Sequence, residues 1–122
     1  MILIIDDSAF QRGLLRQIVL SGGYETVEAI DGADGLAKLR GRRPDCILSD
    51  LLMPRMGGLE LLEALSVKEV TIPVIIVTAN LQDSVRERCL AAGAVGVVHK
   101  PAEAETLLAL IDKTVQKPWG EG

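Results

Sequence analysis

Polar residues follow four of the apolar runs in this sequence, each at the point where the run ends. The adjacent acids Asp6-Asp7 end the first run, and Asp50, Thr78 and Lys100 each end a later one. If the runs are strands of an open α/β sheet, these side chains meet in one crevice, because ligands bind there at the carboxyl ends of the strands. Three clustered carboxylates repel one another, and Mg²⁺, which prefers oxygen ligands, would relieve that repulsion. The pattern therefore predicts a metal-assisted phosphoryl site.

Each of these residues also has a structural interpretation when it is taken alone. Asp7 or Ser8 could cap a helix, Asp50 could be another N-cap, and Thr78 could simply end a strand. The chemical interpretation is favoured because the residues occur together. Asp50 precedes a loop punctuated by proline and glycine, and its carboxylate can ligate a metal and form an aspartyl-phosphate as a nucleophile. A lysine that closes an apolar strand, as Lys100 does, is costly unless it meets an anion such as a phosphoryl group.

The elements that position these residues are predicted from the hydrophobic periodicity. Five apolar runs predict strands at Leu3–Asp6, Glu25–Ala29, Cys46–Asp50, Val74–Thr78 and Gly96–His99. Helical patterns alternate with them: one capped by Ser8 and ended by Gly22-Gly23, then Asp34–Leu39, Leu59–Leu65, Asp83–Ala92 and Ala102–Val115. This alternation predicts a parallel sheet with right-handed crossovers.

Three helices carry apolar stripes that predict which face is buried. The predicted inward residues are Phe10, Leu14, Leu15, Ile18 and Val19 in the first helix, Leu59, Leu62 and Leu65 in the third, and Val85, Cys89 and Ala92 in the fourth.

The composition bounds the class of protein. The 122 residues are 48% apolar but only 2% aromatic, which favours an aliphatic core of parallel strands covered by helices. The net charge of −4 and the lack of a basic arm argue against direct nucleic-acid binding. No apolar run approaches the ~20 residues of a membrane span, and the start of the chain does not resemble a signal peptide. Cys46 and Cys89 are interpreted as buried hydrophobes in a reducing cytoplasm.

Four ordered motifs resemble the receiver domain of two-component response regulators. They are Asp6-Asp7, the stretch Asp50-x-x-Met53-Pro54-x-Met56-x-Gly58, Thr78-Ala79 and Lys100-Pro101. The resemblance covers residues 2–117, and in length the chain is closest to the stand-alone chemotaxis type. It implies an α/β, flavodoxin-like, doubly wound fold with five parallel strands in the order 2-1-3-4-5 and five helices.

The resemblance also implies a function and a metal site. A phosphoryl group would pass from the phosphohistidine of a histidine kinase, or from a phosphotransfer protein, to Asp50, and the output would be binding to another protein. Asp7 and Asp50 would ligate Mg²⁺ directly, the Leu52 carbonyl would complete the protein ligands, and Asp6 would act through water. The chain would catalyse its own phosphorylation and dephosphorylation, with no independent substrate to turn over.

The same resemblance assigns the residues that hold the transferred group. Thr78 and Lys100 would bind the phosphoryl oxygens, and Ala79 is included as a cofactor-binding residue. The Lys100-Pro101 peptide is expected to be cis, against a base rate of about 5–6% for such bonds.

Two positions depart from the family pattern. Receivers usually carry Tyr or Phe three residues before the lysine, where this chain has Val97, and many have Phe after Lys-Pro, where it has Ala102. The phosphorylation chemistry is untouched by either change. The readout through the fourth helix, fifth strand and fifth helix is the step that these changes affect.

Two other functions compete with the receiver interpretation. A Mg²⁺-dependent phosphatase with an aspartyl nucleophile usually has a second acid two residues after the nucleophile, but here Ser8 occupies that position relative to Asp6. A degenerate receiver-like interaction module is disfavoured by the intact set of acids. We expect a monomer or weak dimer comprising one domain over residues 1–117. Residues 118–122 form a tail that includes Glu121-Gly122, a candidate cloning remnant.

Overall fold

The computed structural model describes residues 1–80 and 82–115. Within this part of the chain, five parallel strands form one sheet in the order β2-β1-β3-β4-β5, as predicted. The strands are β1 (Ile2–Ile5), β2 (Thr26–Ala29), β3 (Cys46–Ser49), β4 (Val74–Thr78) and β5 (Gly96–His99), and the helices are α1 (Ala9–Ser21), α2 (Gly32–Lys38), α3 (Gly58–Val67), α4 (Asp83–Ala91) and α5 (Ala104–Thr114). The tail at 118–122 lies outside the described residues.

The aliphatic runs form the central strands because each residue is buried on one face of the sheet or the other. The sheet has a hydrophobic core on each face. Along β1, Ile2 and Ile4 pack into the core that includes residues of α1 and α5, whereas Leu3 and Ile5 pack into the opposite core, which includes residues of α3 and α4. The central strands β1, β3 and β4 are buried throughout, which is the pattern of a parallel sheet covered on both faces. No helix in the described part of the chain is long and apolar enough to cross a membrane.

The apolar stripes predict burial correctly in part. In α1, Leu15 and Val19 are buried, but Phe10 is 71% exposed and Leu14 is 38% exposed. The prediction that those two residues face the core is wrong, because Leu14 lies about 100° around the helix from Leu15 and so falls outside the stripe that meets the sheet.

The other predicted stripes fit the core better. Leu62, Leu65 and Cys89 are buried, and Leu59, Val85 and Ala92 are partly buried against the same core. Leu61 is also buried but is not in the predicted stripe. The buried face of α3 is therefore wider than a stripe with one residue per helical turn.

The predicted boundaries differ from the observed ones by one or two residues. Helix α2 begins at Gly32 rather than Asp34, because Asp31 is its N-cap and accepts a hydrogen bond from the Asp34 N–H at 2.8 Å. Strands β1 and β3 end one residue before the acids that follow them, and α5 begins at Ala104 rather than Ala102. These differences leave the strand ends, and therefore the site, where they were predicted.

Gly58, the first residue of α3, is required by close packing. A Cβ there would lie 2.7 Å from the Asp50 carbonyl oxygen and 2.9 Å from Ile76 Cδ1. We expect Gly58→Ala to lower the free energy of unfolding by about 1–3 kcal/mol despite the higher helix propensity of alanine, because the site loop must move.

The matched control is Gly41→Ala in the loop before β3, where an added Cβ would meet no atom within 4 Å. Its effect should stay within about 0.5 kcal/mol in urea unfolding. Equal stabilities of the two variants would show that the contact at Gly58 is not restrictive.

Candidate functional site

The adjacent acids after β1 point in different directions. Asp6 is 1% exposed, and its Oδ1 accepts the Ser8 N–H at 2.9 Å, whereas Asp7 is exposed. Ser8 is the N-cap of α1, and its hydroxyl accepts the Gln11 N–H at 3.2 Å. Because Ser8 satisfies the helix, the Asp7 carboxylate remains available to a ligand.

Lys100, after β5, joins the acids of two other strands. Its Nζ lies 2.7 Å from Asp6 Oδ2 and 3.2 Å from Asp50 Oδ2, and its side chain is only 13% exposed. Burial acts to lower the pKa of this ammonium, but the bonds and charges of Asp6 and Asp50 outweigh it, so the pKa is raised. Lys100 therefore stays charged, and the peptide that joins it to Pro101 is cis, as predicted.

Asp50 is the first residue after β3 and sits at the centre of the crevice. Its N–H donates to the Ile5 carbonyl at 3.0 Å, which fixes the strand end next to β1, and its Oδ1 accepts the Leu51 N–H at 2.7 Å. Burial raises the pKa of its carboxyl, and the nearby Asp6 raises it further, while Lys100 and the Leu51 N–H oppose the shift. Burial thus disfavours the ionised carboxylate, and a cation bound beside it would favour that form.

The three acids are close enough to share one ion. One carboxylate oxygen from each of Asp6, Asp7 and Asp50 lies within 4.8 Å of the others. In an octahedral Mg²⁺ site with bonds of about 2.0–2.1 Å, ligand oxygens are roughly 3–4 Å apart, so a small contraction would bring these atoms into place. The donor set of Asp6, Asp7 and Asp50, oxygen only and rich in carboxylate, fits Mg²⁺. The assignment of the Leu52 carbonyl as a further ligand stays a prediction.

An open crevice of about 400 Å³ brings together most of the predicted phosphoryl-site residues. It is lined by Asp50, Leu52, Thr78, Ala79, Asn80 and Lys100. Thr78 is 4% exposed, and its Oγ1 accepts the Asn80 N–H at 3.1 Å, which leaves the hydroxyl proton free to donate. Ala79 contributes only a methyl group, so the crevice stays open beside Asp50.

The loop after Asp50 is anchored by a pair that was not predicted from the sequence. Arg55 adopts φ +70°, and its Nε lies 2.7 Å from Oδ2 of the buried Asp31, the N-cap of α2. The Gly32 N–H also donates to the Met56 carbonyl at 2.9 Å. The cap signal Asp31-Gly32 is readable in the sequence, but nothing in it indicates that Arg55 is the partner.

Val97 is partly buried, and an arginine lies against its backbone. Arg86 of α4 donates from Nη1 to the Val97 carbonyl at 3.2 Å. A small cavity of about 80 Å³ lies beside this contact, lined by Thr78, Asn80, Arg86, Val97 and His99. The space next to Thr78 is therefore closed by a valine and a guanidinium rather than by an aromatic ring.

Comparisons with known proteins agree with the geometry. The model of the family described as "Response regulator receiver domain" matches residues 2–112. The chain is 34% identical to the chemotaxis protein CheY of Bacillus subtilis, over 93% of this chain and 96% of that protein. It is 37% identical to the sensor histidine kinase RcsC of Salmonella typhimurium, over 96% of this chain but only 13% of the kinase.

Solved structures show the same similarity. The chemotaxis protein CheY4 of Vibrio cholerae has a TM-score of 0.85 at 32% identity, covering 93% of this chain and 96% of that one. A CheY-like receiver domain protein of Methanospirillum hungatei has a TM-score of 0.86 at 31% identity, covering 99% and 97%. Similar domains thus occur in proteins of this length and as short parts of kinases.

We expect Asp50→Asn to stabilise the metal-free protein at neutral pH. Because the folded-state pKa of Asp50 is raised, the stabilising contribution of its protonated form is lost as pH rises through that pKa. The neutral amide avoids this loss, and Lys100 keeps its bond to Asp6. The advantage should therefore be largest at neutral pH and vanish below the ordinary aspartate pKa of 3.8.

Urea unfolding in EDTA, at neutral pH and below pH 3.8, measures the difference in stability between Asp50→Asn and the wild type. Glu63→Gln on the exposed side of α3 removes the same charge away from the crevice and should show no such pH dependence. An Asp50→Asn protein less stable than the wild type at neutral pH would contradict the desolvation argument.

Proposed function

Because this chain belongs to the receiver-domain family of response regulators, we propose that it accepts a phosphoryl group on Asp50 and signals through protein–protein contacts. The donor is the phosphohistidine of a histidine kinase or of a phosphotransfer protein, and the reaction requires Mg²⁺. The observation that carries the proposal is the convergence of Asp50, Thr78 and Lys100 on one crevice, with Asp6 and Asp7 clustered around Asp50.

The covalent part of the proposed reaction is a single displacement at phosphorus. An Asp50 carboxylate oxygen attacks phosphorus, and the bond from phosphorus to the histidine nitrogen breaks with its electron pair returning to that nitrogen. The ring, protonated on its other nitrogen, leaves as neutral imidazole. Bound Mg²⁺ would supply neutralisation of the charge on the phosphoryl oxygens in a loose transition state. The Lys100 ammonium and the Thr78 hydroxyl supply donors for those oxygens, and both are already positioned at strand ends.

The receiver-like cycle predicts a single modification rather than turnover. Incubation with acetyl phosphate and Mg²⁺ should add one phosphoryl group per chain at Asp50, and beryllofluoride should occupy the same position. Asp50→Asn should lose the label while remaining folded, and EDTA should abolish labelling of the wild type. The matched control Asp45→Asn changes an exposed acid next to the N-terminal amine and should label normally.

Two results would count against this proposal. Continued labelling of Asp50→Asn at a comparable rate would reject the acceptor. Multiple turnovers of small phosphate esters would favour the alternative, a Mg²⁺-dependent phosphatase.

The surface beside the crevice indicates how a donor protein could dock. Phe10 and Leu14 are exposed on the N-terminal half of α1, which starts two residues after Asp7. Large apolar side chains on a surface often mark protein interaction sites. Histidine kinases are partners of this family, and we propose that these two side chains contact the phosphohistidine-bearing protein.

Phe10→Ala should therefore slow phosphotransfer from a phosphorylated donor protein by about 10-fold or more, in the range of interface hot spots. It should leave labelling by acetyl phosphate unchanged, since the crevice is intact. Leu20→Ala, at the far end of α1 and 51% exposed, is the control and should change neither rate. Equal slowing with both donors would mean that Phe10 supports the fold rather than the interface.

We propose a cytoplasmic location, in keeping with two buried cysteines, Cys46 and Cys89, that are not joined by a disulfide. A monomer or weak dimer without direct nucleic-acid contact remains the expected state, given the net charge of −4.

A further inference from the structure

Arg12, in the first turn of α1, links the acid pair to the edge of the sheet. One terminal nitrogen, Nη1, donates to the Asp6 main-chain carbonyl at 2.7 Å, and Nε donates to Glu28 Oε1 on β2 at 3.0 Å. The side chain is only 16% exposed, which is low for an arginine on a surface helix. It is therefore held against the turn that follows β1.

The carbonyl that Arg12 binds belongs to the peptide that joins the two acids. A peptide unit is planar, so fixing the Asp6 carbonyl also fixes the direction of the Asp7 N–H. It thereby constrains the backbone from which the Asp7 side chain projects. The Asp6 carboxylate is restrained separately, by Lys100 and by the Ser8 N–H. The main chain of the turn is also held at the Asp6 N–H, which donates to the Ala29 carbonyl at 3.1 Å, and at the Ser8 N–H. Arg12 is the side chain that holds the carbonyl between these two groups, at the peptide that leads into Asp7.

Glu28 holds Arg12 in place, and a second arginine holds Glu28. Arg16, one helical turn further along α1, donates from Nη1 to Glu28 Oε2 at 2.7 Å. The bonds from Arg16 and Arg12 lower the pKa of the Glu28 carboxyl although its partial burial acts against them. The carboxylate is therefore ionised at neutral pH. Both Arg12 and Arg16 bind Glu28. Of these two arginines, only Arg12 also donates to the Asp6 carbonyl in the described part of the chain.

We propose that Arg12 is a positioning residue of the Mg²⁺ site, acting through the Asp6–Asp7 peptide to aim the Asp7 carboxylate at the ion. This inference rests on the proposed function, since it assigns a role towards the metal used there. Arg12 touches neither the ion nor the phosphoryl group in this role. Changes in such outer partners typically reduce metal affinity by about 10–100-fold.

A purely electrostatic role for Arg12 predicts the opposite result. Removing a positive charge near a cation site should strengthen Mg²⁺ binding, because repulsion is reduced. Positioning predicts weaker binding, because Asp7 is no longer held. The sign of the change therefore separates the two roles.

The test compares Arg12→Met with Arg16→Met. Both variants remove one charge and one bond to Glu28 from the same helix, but only Arg12→Met frees the Asp6 carbonyl. Mg²⁺ affinity is measured by titration calorimetry. Amide hydrogen exchange of Ser8 in EDTA gives a readout that needs no metal, and global stability is measured in parallel. Arg12→Lys is the conservative variant, which can still reach one acceptor.

The expected result is Mg²⁺ binding at least about 10-fold weaker in Arg12→Met, together with faster Ser8 exchange than its global stability explains. Arg16→Met should stay within about 2-fold of the wild type in affinity, and Arg12→Lys should recover part of the loss. Glu28→Gln, which keeps Arg12 but weakens its anchor, should show a smaller loss in the same direction, and it provides the measurement if Arg12→Met does not fold.

Three outcomes would overturn the assignment. Unchanged or tighter Mg²⁺ binding in Arg12→Met would do so, and so would an equal loss in Arg16→Met. In either case the wild type still binds Mg²⁺ and the proposed function stands. A wild-type protein that neither binds Mg²⁺ nor takes up phosphoryl would reject the proposed function and this role together.

Discussion

The contact of Lys100 with Asp6 and Asp50 is the interaction on which the crevice depends. It joins the ends of β5, β1 and β3, and Asp6 is almost fully buried. A buried carboxylate without a partner would cost several kcal/mol, so the aliphatic strands can end in acids only if a cation reaches them. Lys100 follows the edge strand β5, and its long aliphatic stem lets its ammonium group reach Asp6 after β1 and Asp50 after β3.

One lysine does not neutralise three acids. Asp6, Asp7 and Asp50 together carry three negative charges when ionised, and Lys100 carries one positive charge, so two negative charges remain. A divalent cation matches that remainder. The same lysine that makes the metal-free crevice tolerable also points at Asp50, where the proposed phosphoryl group would bind. The proposed chemical role of Lys100 would thus need no position other than the one its structural role requires.

The strand ends could be predicted from the sequence because the signal is local. Each acid or lysine of the site comes within two residues after the end of an aliphatic run, and a parallel sheet brings those ends to one edge. The faces of α1 were less predictable, since Phe10 and Leu14 are as apolar as the buried Leu15 and Val19. Which arc of a helix meets the sheet is set by tertiary packing, to which the periodicity is only a guide.

The contacts that hold the site loops were not predictable for a different reason. The pairs Arg12 with Glu28 and Arg55 with Asp31 join residues that are 16 and 24 positions apart. The first pair joins helix α1 to strand β2, and the second joins the loop after Asp50 to the N-cap of α2. An arginine on a surface helix usually faces solvent, so its type alone indicates no partner. Only the assembled sheet brings Glu28 beside Ile4, and hence beside the turn that Arg12 holds.

The contact at Val97 bears on how the state of Asp50 could reach the surface. Because β5 is an edge strand, its outward carbonyls have no neighbouring strand, and Arg86 satisfies that of Val97. Val97 itself is too short and too restricted in rotamer to sweep between buried and exposed positions. Arg86 therefore adds a hydrogen-bonded link from α4 to β5, besides the packing of Val85 and Val97 against the same core. A bound phosphoryl group shifts the loop after Thr78 only as far as it binds one arrangement better. A displacement of α4 would therefore act on β5 through this hydrogen bond and the shared packing, because valine at position 97 leaves no ring to fill the cavity beside Thr78.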